Sequence, residues 1–150
     1  MPATTTAINA CDVAVYIANA AGVLTDISGS ANKVDLAFSQ EVGNFRVFGD
    51  KWMRRLACAK DATMSLDVVY TTTADEGLDL LRDWMLGASS GTPRAFRVIL
   101  PQNAVGSDSY EGSVIISSLS IPIDASEAGP IMCSAELMPN GAITHSVTTT

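Results

Sequence analysis

The sequence has little charge, one histidine and no long apolar run. Only 17% of its 150 residues are charged, and 16 Asp and Glu outnumber nine Lys and Arg, which gives a net charge of −7. Such a chain lacks the Lys and Arg surface that supplies most of the affinity of nucleic-acid-binding proteins. No apolar run approaches the roughly 20 residues of a membrane-spanning helix, and residues 1–10 lack the basic and apolar segments of an export signal. We therefore expect that the chain does not bind nucleic acid and that it has neither a membrane anchor nor a signal peptide.

The residues that usually carry catalysis or bind metals are also scarce. Cys11, Cys58 and Cys133 are far apart and form no Cys-x-x-Cys or Cys/His cluster, which argues against a zinc site. Their small or apolar neighbours favour reduced thiols packed in a core, as in a reducing cytoplasm. His145 lies near the end of the sequence, where a catalytic base would be poorly held. No glycine-rich phosphate loop occurs, so we expect neither an enzyme nor a metal or cofactor.

The chain is nevertheless apolar and long enough for one sizeable core. Its apolar fraction is 47% and its mean hydropathy is +0.24. Surfaces of isolated domains are commonly about a quarter to a third charged, which is more than this chain provides. We therefore expect a single domain, 1–150, that buries part of its surface against other copies. A well-packed monomer with a surface rich in Ser and Thr is the alternative.

Alternating apolar and polar residues indicate a mainly β protein. In the segment 63–71, for example, Met64, Leu66 and Val68 fall on one face. We expect about seven or eight strands, which we place at residues 11–18, 32–39, 51–59, 63–71, 94–100, 109–121, 131–138 and 142–147.

One segment changes its period and predicts an α-helix over about 74–86. Leu78 and Leu81 recur there at helical spacing. Thr73 and Glu76 have the spacing of a capping box, in which each side chain satisfies a free backbone N–H at the helix start. Since we find only this helix, we expect it to flank an open face of the sheet.

Three segments lie outside this regular pattern. Residues 1–10 read as a flexible N-terminal arm, residues 142–150 as a C-terminal arm and residues 40–55 as an extended loop, with a hairpin as the alternative for residues 40–50. Several large apolar side chains in the loop need burial, either on the protein's own core or on another subunit, where aromatic anchors contribute strongly. These inter-subunit candidates are Phe45, Val47, Phe48 and Trp52.

The order of several motifs points to one protein family. The chain opens with VAVYI and LTDISGSANKVDLAF, followed by FGDKW, and the strand TMSLDVVY then leads into the helix TADEGLDLLRDWM. SYEGSVIISSLSIPID and AELMPNG complete the series. In their order and spacing these motifs resemble the tail tube (major tail) proteins of bacteriophages with long, non-contractile tails. The resemblance covers nearly the whole chain, although each motif alone is common.

The resemblance implies a β-sandwich or barrel-like subunit with one flanking helix, the tail-tube fold. It implies that six copies form a ring and that stacked rings form a hollow virion tube, with about four strands per copy in the inner barrel. DNA would pass through without specific binding, and the implied partners are a tape measure protein, a tail terminator and distal tail proteins. The protein would be made in the host cytoplasm. The alternatives are a tube protein of a contractile injection or type VI-like system, and a monomeric β-barrel that binds a ligand.

A tube through which DNA passes should not bind the DNA tightly. Because DNA carries one negative charge per roughly 1.7 Å of its axis, an acidic or neutral lining repels it weakly within a Debye length of roughly 8–10 Å. We expect the lining to come from polar residues opposite the core-facing positions of the strands, although Lys33 runs against a purely acidic lining. The lumen-facing candidates are Lys33, Asp35, Ser39, Ser65, Asp67, Thr71, Glu111, Ser113, Ser134 and Glu136.

Overall fold

The computed structural model describes residues 7–101 and 106–148, which form one antiparallel sheet of eight strands and a single α-helix. This confirms the mainly β class with one helix. After a short 3-10 turn, the elements in chain order are β1 (Ala14–Ala18), β2 (Leu24–Asp26), β3 (Ala31–Phe45), β4 (Arg54–Val69), α1 (Gly77–Leu86), β5 (Arg94–Leu100), β6 (Asp108–Ser120), β7 (Met132–Pro139) and β8 (Thr144–Val147).

The sheet curls around one core. Its strands lie in the order β2-β1-β5-β6-β7-β4-β3, and β8 pairs with the first part of β6. Val15 on β1 and Leu66 on β4 are far apart in this order, yet both belong to the same buried apolar cluster. This matches the expected barrel-like form, with the described strands in one hydrogen-bonded sheet.

The structure joins two predicted strands and shortens the predicted loop. The candidates 51–59 and 63–71 are parts of one strand, β4, and β3 continues to Phe45. The range 40–55, which we expected to be an extended loop, therefore contains paired strand ends and a turn at 46–53. A β-bulge hides this continuity in the sequence, because two residues of β4 stand opposite one of β3 and the alternation changes phase.

The helix begins later than predicted, at Gly77. The expected capping box between Thr73 and Glu76 is wrong, because Glu76 is the N-cap residue and its side chain makes no capping hydrogen bond. Instead, the backbone N–H of Gly77 donates to Ser30 Oγ at 3.0 Å. A Cβ at position 77 would lie 2.8 Å from that oxygen, so the glycine lets the helix start pack directly against the chain before β3.

Two side chains fix α1 to the start of β5. Trp84 is fully buried, and its Nε1 donates to the carbonyl oxygen of Thr92 at 3.0 Å. The Arg94 guanidinium lies 4.9 Å from the Trp84 ring centroid and donates to Ser89 Oγ at 3.2 Å. Burial lowers the pKa of Arg94, while the nearby Asp83 carboxylate opposes this effect. In the described part of the chain, no helix has the length and apolarity needed to cross a membrane.

The expected arms are only partly described, since residues 1–6 and 149–150 lie outside the described ranges. Residues 7–10 are exposed. Within the expected C-terminal arm, β8 pairs with β6, and His145 Nε2 lies 2.9 Å from Asp108 Oδ1. The histidine is half-exposed on this strand, as a surface residue would be.

The three cysteines differ in their environment. Cys133 is buried in the core, and burial raises the pKa of its thiol. Cys11 and Cys58 are exposed, so the expectation of core packing is wrong for these two. All three are free thiols.

Candidate functional site

Four neighbouring strands, β3, β4, β7 and the second half of β6, carry a polar face that points away from the core. Ser65 on β4 lies directly opposite Asp35 on β3 and Glu136 on β7. Side chains that stand opposite one another in an antiparallel pair share a face of the sheet. The adjacent residues Leu66 and Leu137 are fully buried on the other side. We call the polar side of these four strands the outer face.

The outer face is organised in two cross-strand rows of four residues. Each row runs through β3, β4, β7 and β6 in that order, as the strand registers show. The first row is Asp35, Ser65, Glu136 and Ser118, and the second is Lys33, Asp67, Ser134 and Ser120.

Most of the predicted lumen-facing residues meet on this face. Glu111 and Ser113 lie in the first half of β6, which pairs with β5, and Arg97 Nε lies 2.7 Å from Glu111 Oε1. Thr71 lies beyond the end of β4, where its Oγ1 accepts a hydrogen bond from the Thr73 backbone N–H. The seven that the structure brings together on the outer face are Lys33, Asp35, Ser39, Ser65, Asp67, Ser134 and Glu136.

The sequence reasoning missed Ser118 and Ser120. A register shift between Ile116 and Ser118 changes the phase of β6, so its odd residues face outward before the bulge and its even residues after it. The sequence gives little sign of this shift, because the three consecutive apolar residues 114–116 already break the alternation before the serines at 117 and 118.

The charges of the two rows are free to act on a passing ligand. Three carboxylates and one ammonium give these rows a net charge of 1 − 3 = −2. Within the described ranges, none of the four forms an ion pair with another side chain. The described residues also contain no group of His, Cys, Asp and Glu that could hold a metal ion. The outer face is therefore a hydroxyl-rich, weakly acidic surface.

The four-stranded unit has an unpaired edge on each side. β3 pairs only with β4 among the described strands, and β6 extends past its last pairing with β5, Arg94 opposite Val114, through residues 115–120. Neighbouring strands in the unit are antiparallel, so its two edge strands run in opposite directions. A second copy placed edge to edge would continue the antiparallel pattern, and such pairing removes exposed edges.

The distal part of the β3–β4 hairpin extends beyond the core. No residue between 39 and 61 is buried, and we call this segment the projecting arm. Phe48 at its tip is fully exposed and Trp52 is 82% exposed. Phe45 and Val47 are exposed as well. Of the two alternatives for these side chains, packing on the protein's own core is therefore excluded.

The turn of the projecting arm is ordered by one carboxylate. Asp50 accepts a hydrogen bond from the backbone N–H of Trp52 at 3.1 Å, and its other oxygen lies 2.8 Å from Arg54 Nε. These two contacts, the backbone one first, lower the pKa of Asp50 below its ordinary value. The ionised carboxylate thus sets the shape of the turn that presents the aromatic side chains.

An open apolar groove of about 570 Å³ separates the two ends of the curled sheet. Its lining includes Val34 and Leu36 of β3 and Val98 and Leu100 of β5, together with Ile8. Its volume lies in the range of small-molecule sites. The lining is mostly apolar, and its polar residues are Ser28, Asn32, Lys33 and Tyr110.

The fold of this chain is similar to that of several solved structures, whereas sequence comparisons find no match. No protein-family model and no curated protein sequence matches this chain. Among solved structures, the tail of an empty gene transfer agent particle with C6 symmetry matches 94% of this chain and 100% of its own at 16% identity and a TM-score of 0.72. The SPP1 tail tube matches 96% and 81% at 15% identity and a TM-score of 0.72. The PVC sheath–tube complex of an extracellular contractile injection system matches 96% and 94% at 12% identity and a TM-score of 0.73.

These similarities extend over nearly the whole chain and over most of each matched chain. At such low identity they establish the architecture, so the chain has the tail-tube fold. The expected resemblance to tail tube proteins is therefore confirmed at the level of the fold.

Proposed function

We propose that this chain is a structural protein that self-assembles into stacked rings of six copies, forming the hollow tube of a virion tail through which DNA passes. The observation that carries the proposal is the four-stranded unit with a polar outer face and two unpaired edges. The backbone N–H and C=O groups at both edges of such a unit are hydrogen-bonded only when strands of other copies pair with them. The role is non-enzymatic.

Edge-to-edge pairing of this unit closes a barrel. Each copy supplies an even number of antiparallel strands, so the alternation continues across every junction between copies. Six copies, the number that matches the C6 symmetry of the gene transfer agent tail, give about 24 strands. Since barrels of 16–18 strands already enclose a water-filled channel, one of about 24 leaves a wider bore.

The outer face lines the bore. In a closed ring the two polar rows repeat around the channel and present hydroxyl groups with a small excess of carboxylates. DNA phosphates are weakly repelled by such a wall, so the duplex passes without being held. The net charge of the whole chain thus excludes a nucleic-acid binder but suits a conduit.

The projecting arm makes contacts between copies. Its aromatic tip is exposed on the single subunit, and exposed clusters of large apolar side chains mark interaction sites. We assign Phe45, Val47, Phe48 and Trp52 to this interface. Burial of subunit surface in the assembly is also in keeping with the low charge content of the chain as a whole.

The tube belongs to a phage-like tail and is located in the virion. As implied by the resemblance, its partners are the tape measure protein inside the bore and the terminator and distal tail proteins at its ends. A tube within a contractile injection system is a second candidate, because the PVC sheath–tube complex shares the fold equally well. The two differ in whether a sheath surrounds the tube.

Sedimentation velocity and negative-stain electron microscopy of the purified full chain test the proposal. The expected result is a concentration-dependent shift from single subunits to rings and hollow rods. A ligand-binding monomer would instead remain a 15.7 kDa species at every concentration, and that result would overturn the proposal.

A further inference from the structure

Positive charge is concentrated on the projecting arm. It holds three acidic residues and five of the nine Lys and Arg, which gives a net charge of 5 − 3 = +2. The rest of the chain, which we call the body, has four basic and 13 acidic residues and a net charge of 4 − 13 = −9. The basic residues of the arm are Arg46, Lys51, Arg54, Arg55 and Lys60.

The cations of the arm and of the body also differ in their pairing. In the body, three of the four lie within 4.0 Å of a carboxylate of the same chain: Arg82, Arg94 and Arg97. On the arm, Arg54 pairs with Asp50 inside the turn. Across residues 7–101 and 106–148, no ion pair engages the remaining four, which are Arg46, Lys51, Arg55 and Lys60.

We propose that these unpaired cations bind the acidic body of a second copy of the same chain, so that charge guides the docking of the arm. The inference rests on the proposed tube-forming function and names the chemistry of one of its contacts. The arm extends beyond its own core, so its free cations lie away from most carboxylates of its own body. A contact between two different surfaces of identical chains is heterologous, and such contacts either close into rings or propagate into open stacks.

The charges and the aromatic tip have separate roles in this contact. Complementary charges mainly speed encounter and fix orientation, whereas buried aromatic anchors supply most of the binding energy. Charge therefore selects the body of another copy over another arm, since two arms repel each other. Assembly through the arm should weaken as salt screens the attraction.

Duplex DNA is the competing partner for a basic arm. Five cations near exposed aromatic side chains are a nucleic-acid-binding combination in other contexts. The arm also carries Glu41, Asp50 and Asp61, so its net charge is only +2, which is low for a DNA-binding surface. A body with a net charge of −9, present at the same concentration as the arm, is the better match.

Two variants of equal net charge test the proposal. Arg55→Gln/Lys60→Gln removes two charges from the arm, and Arg82→Gln/Arg97→Gln removes two from the body. Both have a net charge of −9, so general repulsion between copies is the same. We expect the arm variant to need about tenfold more protein for assembly at roughly 50 mM salt. The body variant should stay within about twofold of wild type, and all three should converge at roughly 500 mM salt.

Equal effects of the two variants, or wild-type assembly that does not depend on salt, would overturn the proposal. If no rods form at all, sedimentation equilibrium still measures the association of two copies. A salt-sensitive association that only the arm variant loses supports the charge proposal, although the proposed tube is then contradicted. Absence of any association contradicts both. Fluorescence anisotropy with a labelled duplex of roughly 20 base pairs tests DNA as the competing partner. If the wild type and the body variant bind the duplex and the arm variant does not, the arm is assigned to DNA binding and the proposal is overturned.

Discussion

Glu136 on β7 lies directly opposite Ser65 on β4, on the face of the sheet that points away from the core. Asp35 and Ser118 extend the same row to the two edge strands. The row thus crosses the whole four-stranded unit and ends at two unpaired edges. This relationship connects the alternation in the sequence with a polar surface that extends to both unpaired edges of the unit.

Charge reversal on the outer face should slow DNA passage without preventing assembly. Asp67→Lys combined with Glu136→Lys gives the bore excess positive charge, which holds the phosphate backbone. We expect tubes of normal appearance in electron micrographs and genome delivery slowed by about tenfold or more. Glu127→Lys, an exposed change in the connection before β7, is the control and should deliver normally. Normal delivery by the double variant would refute the electrostatic role of the lining.

Removing the aromatic tip of the arm should abolish tubes while leaving the subunit folded. Phe48→Ser/Trp52→Ser changes two exposed side chains, so far-ultraviolet circular dichroism and the unfolding midpoint should stay close to wild type. Sedimentation should then show only single subunits, because anchors of this kind dominate interface energy. Ile123→Ser, at another exposed apolar position, should assemble normally. Tubes formed by the double variant would show that the tip is not an inter-subunit anchor.

Truncating Trp84 should release the helix from the sheet. Trp84→Ala leaves a large cavity and an unpaired Thr92 carbonyl oxygen, and it removes the ring on which Arg94 stacks. The expected loss is about 3–5 kcal/mol of the free energy of unfolding, measured by urea titration. Leu86→Ala on the same helix is largely exposed and should cost less than about 1 kcal/mol. Similar losses in both variants would contradict this account of helix anchoring.

Adding one methyl group at the start of the helix should be destabilising. In Gly77→Ala the new Cβ would lie 2.8 Å from Ser30 Oγ and 3.1 Å from Val68 Cγ1, so either these side chains or the helix start must shift, which disturbs the hydrogen bond from the Gly77 N–H to Ser30 Oγ. We expect a cost of about 1–3 kcal/mol in thermal or urea unfolding. Gly91→Ala is the matched control, because a Cβ there meets no atom within 4 Å. A stability loss that is equal at the two positions would exclude the steric cause.

The order of the arm's turn should depend on the ionisation of Asp50. Because its pKa is lowered in the folded protein, the stabilisation is present above its ordinary value and is lost as pH falls through the lowered one. At neutral pH, Asp50→Asn should speed amide exchange at Trp52, read by nuclear magnetic resonance. Once the pH has fallen below the lowered pKa of Asp50, the variant and wild type should behave alike. A constant difference across this range would show that the carboxylate charge is not responsible.

The regular parts of the fold could be predicted from the sequence. Residues 94–100, which lie between two turn-rich segments and end in a run of β-favouring apolar residues, form β5 with the predicted bounds. The helix was found because Leu78 and Leu81 recur at helical spacing. Its start was misplaced because the cap comes from Ser30, 47 residues away in sequence, which no local pattern contains.

The parts that could not be predicted depend on bulges and on strand partners. The bulges near Ser117 and near residues 58–59 change which side chains share a face, and alternation alone does not locate them. Strand β2 has only three residues, too few for a visible period. Conversely, the outer face was largely predictable, because Asp35, Ser65, Asp67 and Glu136 occupy the polar phase of strands without an intervening bulge.

A cryo-electron microscopy reconstruction of the assembled wild-type chain tests the central claim most directly. We predict a hollow tube of stacked six-membered rings, in which β3 of one copy pairs with the second half of β6 of the next. Asp35, Asp67 and Glu136 should line the bore. A tube with these side chains on its outer surface, or a particle without a continuous inner sheet, would contradict the account.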